Sequence, residues 1–294
     1  MAASPRDSAI DSPDDEKAFY WLKLAAEQGH CEAQYSLGQK YTEDKSRHKD
    51  NEQAIFWLKK AALQGHTFAS NALGWTLDRG EAPNYKEAVV WYQIAAESGM
   101  SYAQNNLGWM YRNGNGVAKD YALAFFWYKQ AALQGHSDAQ NNLADLYEDG
   151  KGVAQNKTLA AFWYLKSAQQ GNRHAQFQIA WDYNAGEGVD QDYKQAMYWY
   201  LKAAAQGSVG AYVNIGYMYK HGQGVEKDYQ AAFEWFTKAA ECNDATAWYN
   251  LAIMYHYGEG RPVDLRQALD LYRKVQSSGT RDVSQEIRET EDLL

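Results

Sequence analysis

The chain has 294 residues, 46% of them hydrophobic, and a formal net charge of −8. This charge argues against a nucleic-acid backbone as the main partner, because binding to phosphates requires a basic face. Only two cysteines occur, Cys31 and Cys242, and no apolar run approaches the ~20 residues that span a bilayer. The sequence therefore predicts neither an internal disulfide framework nor insertion into a membrane.

A tryptophan returns at a nearly fixed interval along the chain. The successive intervals are 36, 34, 36, 36, 36 and 36 residues. The series consists of Trp21, Trp57, Trp91, Trp127, Trp163, Trp199 and Trp235. A fixed period of about 20–50 residues is typical of stacked repeats, in which each repeat contacts only its neighbours. We therefore predict a solenoid, and we expect these tryptophans to lie in its core.

The first predicted helix lies near residues 14–28 and corresponds to the second half of a repeat. Residues 1–13 before it lack the apolar core of a signal peptide, and we expect them to be disordered or foreign to the native chain. A native signal peptide could then have been lost with them. Because Phe19, Tyr20 and Leu24 leave apolar surface uncovered, self-association through this open helix is a further expectation.

Each later repeat is predicted to form two helices, as residues 101–136 illustrate. In the first helix, Ala103, Leu107 and Tyr111 recur at the four-residue spacing of one helical face. Gly108 stands beside the repeat leucine, where the missing side chain lets another helix approach closely.

A glycine-containing loop joins the two helices of a repeat. Asp120 follows this loop and is predicted to cap the second helix, which ends at Gly135. Seven first helices are expected, near residues 31–43, 67–78, 101–112, 137–148, 173–184, 209–220 and 245–256. Residues 280–294 are more polar and are predicted to form a C-terminal capping helix.

The repeated pattern A-x-x-x-L-G-x-x-Y, then G-x-G-V, then A-x-x-W-Y-x-x-A-A-x-x-G resembles the Sel1-like repeat family, relatives of the tetratricopeptide repeats, over residues 14–279. The resemblance implies an all-α fold, a right-handed α/α superhelix of about seven helix pairs, that acts as an adaptor between proteins. Secreted, cysteine-rich members carry a disulfide in each repeat. The two cysteines of this chain instead favour a reducing compartment.

By resemblance to tetratricopeptide arrays, the first helices would line a concave face. The position two residues after the repeat leucine is aromatic at Trp75, Trp109, Trp181 and Tyr217. Gln39 and Asp145 occupy the same position in other repeats, so the fold does not demand an aromatic residue there. Phe68 and Tyr102 lie nearby on the same helices. These side chains are either anchors for a partner or packing between repeats.

An asparagine precedes the repeat leucine in four first helices. These residues are Asn106, Asn142, Asn214 and Asn250. Because asparagine is a mediocre helix former, its recurrence calls for a reason. The amides could hold the backbone of an extended peptide, as matching asparagines do in peptide-binding tetratricopeptide domains. Alternatively, they could form hydrogen bonds between neighbouring repeats.

No pattern of catalytic or metal-binding residues occurs in the sequence. His30, His66 and His136 occupy the turn after the repeat glycine, and the other histidines share no spacing typical of metal ligands. We therefore expect no catalytic residue, no metal site and no cofactor.

These observations predict a non-enzymatic scaffold in the cytoplasm that binds another protein or an extended peptide along the concave face that its first helices would line. A carbohydrate or cell-wall ligand is the alternative, because exposed aromatic rings also stack on sugars. That alternative requires a periplasmic or exported protein, and hence a signal peptide removed from the native N-terminus.

Overall fold

The computed structural model describes residues 13–43, 48–80 and 82–294. Within these ranges the chain forms sixteen α-helices and no β-strand. The helices are α1 (Pro13–Glu27), α2 (Cys31–Thr42), α3 (Asn51–Leu63), α4 (Thr67–Arg79), α5 (Tyr85–Glu97), α6 (Ser101–Asn113), α7 (Tyr121–Leu133), α8 (Ser137–Asp149), α9 (Lys157–Gln169), α10 (Arg173–Ala185), α11 (Tyr193–Ala205), α12 (Val209–His221), α13 (Tyr229–Glu241), α14 (Ala245–Tyr257), α15 (Leu265–Ser278) and α16 (Ser284–Asp292).

The predicted all-α repeat fold is confirmed, and even-numbered helices from α2 to α14 are the seven predicted first helices. The chain divides into two compact units, Met1–Ala139 and Gln140–Leu294. Residues 1–12, which make up nearly all of the predicted N-terminal segment, lie outside the described residues.

Local capping interactions set where the helices of a repeat begin and end. The Asp120 carboxylate accepts hydrogen bonds from the backbone N–H groups of Ala122 and Leu123, at 2.8 and 2.9 Å, and so starts α7 as predicted. The loop before it requires Gly116, whose φ is 73°. A Cβ atom there would stand 2.4 Å from the carbonyl oxygen of Tyr85, so only glycine permits this approach to the preceding repeat.

The two helices of each repeat approach most closely beside the repeat leucine. A Cβ atom on Gly108 of α6 would lie 2.8 Å from the ring of Tyr128 on α7. In the second unit, a Cβ atom on Gly216 would lie 2.7 Å from the ring of Phe236. The predicted close approach is therefore present. In these repeats an aromatic ring of the second helix fills the space that the missing side chain leaves, and beside Gly38 the side chain of Leu58 fills it.

From Trp91 onward, the residue after the periodic position is an aromatic residue that lies deeper in the core. Tyr92, Tyr128, Tyr164, Tyr200, Phe236 and Tyr272 are all fully buried. The core prediction is confirmed for Trp57, Trp91 and Trp199, which are buried, whereas Trp127, Trp163 and Trp235 are only half-buried. The tyrosines lie deeper because they face the first helix of their own repeat.

For Trp21 the core prediction is wrong, because its side chain is 63% exposed. Trp57, its counterpart in the next repeat, packs in a cluster with Ala26 of α1 and Leu37 of α2, the two helices before its own. No described helix precedes α1, so nothing in the described chain covers Trp21 in the same way. Self-association through this end stays a prediction.

Buried glutamines connect neighbouring repeats. Within the first unit, Gln104 of α6 donates from Nε2 to the carbonyl oxygen of Ala96 at 3.1 Å, and its Oε1 accepts from Nε2 of Gln134 at 2.8 Å. Gln176 and Gln206 make the same contacts in the second unit. We call this arrangement the glutamine bridge. The carbonyl oxygen of Ala96 also accepts from the backbone N–H of Gly99 at 3.0 Å, so the glutamine adds a second hydrogen bond that comes from the next repeat.

Replacing Tyr128 by alanine should destabilise the protein more than any exposed aromatic substitution nearby. The change Tyr128→Ala opens a cavity against Gly108, and we expect it to lower the free energy of unfolding by about 3–5 kcal/mol. Phe126 lies two residues away on the exposed side of the same helix. Phe126→Ala is therefore the matched control and should cost less than about 1 kcal/mol.

Urea unfolding followed by far-UV circular dichroism would compare the two variants with the wild-type protein. Equal destabilisation by both changes would contradict the assignment of Tyr128 to the centre of the core.

Candidate functional site

The first helices of the first unit expose aromatic side chains on the face opposite their core. In α6, Ala103, Leu107 and Met110 are fully buried, while Trp109 remains 39% exposed. In α4, Trp75 is 47% exposed. Because a helix turns by about 100° per residue, the residue two after the repeat leucine points away from the core. These two tryptophans are therefore available to a partner.

Two further predicted site residues lie on the same helices and are also exposed. Phe68 precedes Trp75 by seven residues on α4, and Tyr102 precedes Trp109 by seven residues on α6. Their exposed fractions are 58% and 62%. Seven residues are close to two helical turns, so each pair lies along one side of its helix.

The amide of Asn106 bonds to the neighbouring first helix. Its Nδ2 donates to Oδ1 of Asn71 on α4 at 3.2 Å, and Asn106 is half-buried. This contact is the inter-repeat hydrogen bond that the sequence left as an alternative. It uses one of the two donor hydrogens of the amide. A contact between Asn106 and a ligand stays a prediction.

In the second unit, Trp181 of α10 is the exposed member of the aromatic series, at 46%. Tyr217 of α12 is half-buried instead. Its ring packs edge-on against Phe236 at 5.6 Å between centroids and lies parallel to His221 at 6.1 Å. Contacts within its own repeat thus account for much of the burial of the Tyr217 ring.

The asparagines of the second unit differ in burial. Asn142 and Asn214 are half-buried, and Asn214 donates from Nδ2 to the carbonyl oxygen of Gly210 at 2.9 Å. Asn250 is only 2% exposed, and its Nδ2 donates to the hydroxyl oxygen of Tyr217 at 3.1 Å and to the carbonyl oxygen of Thr246 at 2.7 Å. The amide nitrogen of Asn250 is thus used within the fold, and a contact between Asn250 and a ligand stays a prediction.

The predicted site residues thus fall into two groups of five. The first unit holds Phe68, Trp75, Tyr102, Asn106 and Trp109. The second holds Asn142, Trp181, Asn214, Tyr217 and Asn250. The exposed members of both groups are aromatic, which suits apolar contact with a partner.

The turn histidines belong to the helix caps. The Nδ1 atoms of His66 and His136 accept hydrogen bonds from the backbone N–H groups of Ala69 and Ala139, at 3.1 and 3.3 Å. In the part of the chain that the structure describes, no three histidine, cysteine or acidic residues are grouped so that they could hold a metal ion. Nor does any helix in that part have the length and apolar character needed to cross a bilayer.

Sequence reasoning missed a buried carboxyl group beside Trp181. Asp182 occupies the position held by Met110, Leu146, Met218 and Met254 in other repeats, all of which lie in the core. It is only 6% exposed, and among the described residues its Oδ2 atom has no hydrogen-bond partner. Comparing this one position across the repeats would have revealed the exception.

The surroundings of Asp182 favour its protonated form. Burial, followed by the negative charges of Glu148 and Glu187, raises the pKa of Asp182 to about 7 from its ordinary value of 3.8. Lys157 opposes this shift. The lysine is itself shared, since its Nζ pairs with Glu187 and lies 3.7 Å from Oε1 of Glu148. Ionisation of this buried carboxyl group therefore costs stability in the folded state.

Asp182 should make the protein less stable as the pH rises. Its pKa is about 7 in the folded state against 3.8 ordinarily, so the folded state binds the extra proton between these values. Stability is therefore highest at low pH within this window and is lost as the pH rises through about 7. Methionine occupies the equivalent position at Met218 in another repeat. Asp182→Met should therefore remove the pH dependence of stability and raise the free energy of unfolding at pH 8 by roughly 2–4 kcal/mol.

Urea unfolding at pH 5.5 and pH 8 would measure the effect. Asp190→Asn is the matched control, because it removes an exposed carboxylate from the same repeat. If Asp182→Met and the wild type were equally stable at pH 8, the claim that the buried Asp182 carboxylate destabilises the protein would be contradicted.

The Sel1 repeat model matches eight consecutive segments that together cover most of the chain. The segments are residues 11–30, 31–66, 67–100, 101–136, 137–172, 173–208, 209–244 and 245–274. Their boundaries in the middle of the chain coincide with the starts of the first helices.

Solved structures agree with this match. A protective antigen of uropathogenic Escherichia coli strains, which displays an SLR fold, is 36% identical with a TM-score of 0.83 over 89% of this chain. This chain spans only 56% of that antigen. A Sel1 repeat protein from Oxalobacter formigenes is 33% identical with a TM-score of 0.67, over 73% of this chain and 86% of its own. This chain, with its helix pairs and its eight matched segments, belongs to the Sel1 repeat family.

Proposed function

We propose that this protein is a non-enzymatic scaffold that binds a partner protein, or an extended segment of one, through the exposed aromatic faces of its first helices. Sel1 repeat proteins generally act as scaffolds for interactions between proteins. The proposal assigns the contact to Trp75 and Trp109 in the first unit and to Trp181 in the second. It includes a cytoplasmic location, which the free thiols of Cys31 and Cys242 support.

The exposure of these tryptophans is the observation that supports the proposal. The fold accepts Gln39 and Asp145 at the same position, so packing does not demand a large ring there. An exposed indole costs solvation free energy in the unbound protein and contributes a large apolar area once a partner covers it. Tryptophan is also among the residues that carry most of the binding free energy at protein interfaces.

The neighbouring repeats hold the backbone beneath these side chains in place. Fully buried Leu107 and Met110 fix α6 on either side of Trp109. In α10, fully buried Ile179 and Ala180 directly precede Trp181 and fix the helix there. A scaffold that is already ordered loses little conformational entropy on binding, so more of the contact energy appears as affinity.

Replacing the exposed tryptophans by glutamine should weaken partner binding without unfolding the protein. Glutamine already occupies this position at Gln39, so Trp109→Gln and Trp181→Gln should each change the free energy of unfolding by less than about 1 kcal/mol. Loss of a central tryptophan should weaken binding by about 2 kcal/mol or more, or roughly 30-fold. Affinity capture from the source cell followed by mass spectrometry would identify proteins that wild type retains and the variants lose.

Phe56→Gln is the matched control, because Phe56 is exposed to a similar degree on the second helix α3. A partner lost with Trp109→Gln or Trp181→Gln but kept with Phe56→Gln supports the proposal. A partner kept by all folded variants would contradict the assignment to the first helices. Capture of cell-wall glycans in place of proteins would favour the carbohydrate alternative.

A further inference from the structure

Three adjoining cavities run between the first helices α2 and α4. The first, of about 540 Å³, is lined by Glu32, Tyr35, His66 and Phe68. The middle cavity, of about 250 Å³, shares Tyr35 and Phe68 with the first and also reaches Trp75. We call the three cavities together the α2/α4 trough.

The third cavity of the trough, of about 280 Å³, lies at the C-terminal end of α4. It shares Thr42 and Trp75 with the middle cavity and is lined in addition by Lys49 and Arg79. Helix α4 extends over 13 residues, so the trough is about 18 Å long at 1.5 Å per residue. An extended peptide of about five or six residues, at about 3.3 Å per residue, matches this length.

The middle of the trough is aromatic and partly fixed. The ring of Tyr35 stacks on His66 with 4.5 Å between centroids, and its hydroxyl oxygen accepts a hydrogen bond from Nε2 of Gln39 at 2.7 Å. Phe68 and Trp75 extend above it with about half of their surface exposed. This arrangement offers a preformed apolar seat for one large side chain.

The two ends of the trough carry opposite charges. At the first end the Glu32 side chain is 80% exposed, and its Oε2 lies 2.9 Å from Nε2 of His66. At the other end the Arg79 guanidinium lies 5.9 Å from the centroid of the Trp75 ring. Exposed Lys49 and Arg79 both line this cavity, and the described residues of its lining include no acidic side chain. A bound segment of complementary charge would therefore have a fixed direction.

We propose that the α2/α4 trough binds an extended peptide segment with a large apolar side chain at its centre, an acidic side chain at the Arg79 end and a basic side chain at the Glu32 end. The side-chain amides of Gln39 and Asn71 line the middle cavity and suit contact with an extended backbone. The inference rests on the proposed function and narrows it to one site and one class of partner sequence.

Selection from phage-displayed random octapeptides would test the trough directly. With the full-length protein as bait, we expect enriched peptides to carry an acidic and a basic residue on opposite sides of an aromatic or aliphatic one. Arg79→Glu should change the acidic preference to a basic one and leave the preference at the Glu32 end unaltered. Fluorescence anisotropy should show about fivefold weaker binding of the wild-type consensus peptide to this variant.

Trp75→Gln removes the apolar seat and should weaken binding of the consensus peptide by roughly 30-fold. Phe56→Gln, which changes an exposed ring of α3 that lines none of the three cavities, is the matched control and should leave peptide affinity unchanged. Circular dichroism and thermal melting would verify that each variant is folded. The proposal is overturned if no peptide is enriched, if the consensus lacks the charge pattern, or if Arg79→Glu and Trp75→Gln bind it as the wild type does.

The peptide selection tests the trough, and the affinity capture tests the scaffold function, so the failure of one proposal can be told from the failure of the other. A cellular partner that depends on Trp109 or Trp181 but binds Trp75→Gln normally would support the scaffold function and place that partner outside the trough, and the peptide experiment alone would decide on the trough. An octapeptide that depends on Trp75 and Arg79 would support the trough whichever proteins are captured.

Discussion

The fold depends on the close approach of two helices at one small residue. Beside the repeat leucine the first helix carries glycine or alanine, and the ring of the second helix lies against it, as Tyr128 does at Gly108. A larger side chain there would separate the helices and expose the ring, because a close-packed interior leaves no room for an extra group. Burial of this ring fixes which face of the first helix points inward. The exposure of Trp75 and Trp109 on the other face follows from it.

The sequence could predict the helices because their signals are local. Asp120 caps α7 through hydrogen bonds to residues two and three positions further on. Gly116 adopts a positive φ angle, which glycine reaches more easily than any other residue. The relative depth of Trp127 and Tyr128 could not be predicted in this way. Both rings recur with the same period, and only the direction in which each points from α7 decides that the tyrosine meets α6 while the tryptophan reaches the neighbouring repeats.

The candidate site, like the fold, could be predicted where it depends on one helix and not where it depends on contacts between helices. Departures from the repeat pattern identified the exposed tryptophans, since a position that tolerates Gln39 does not need Trp75 for folding. The fate of the asparagines depended on neighbours that lie about one repeat away: Asn106 meets Asn71, and Asn250 meets Tyr217. The α2/α4 trough was missed for the same reason, because its walls come from two helices and its charges from residues that follow no period.

The glutamine bridge bears on how such an array can change its length. Each bridge links one repeat only to the next, so duplication or loss of a 36-residue block among the bridged repeats restores the same hydrogen bonds at the new junction. Recombination between neighbouring repeats can then alter their number without losing this contact between one repeat and the next. Ser70, Tyr212 and Trp248 occupy the bridging position elsewhere. The repeats that contain them lack this interchangeable junction, so the freedom to grow or shrink belongs to the repeats that carry the glutamines.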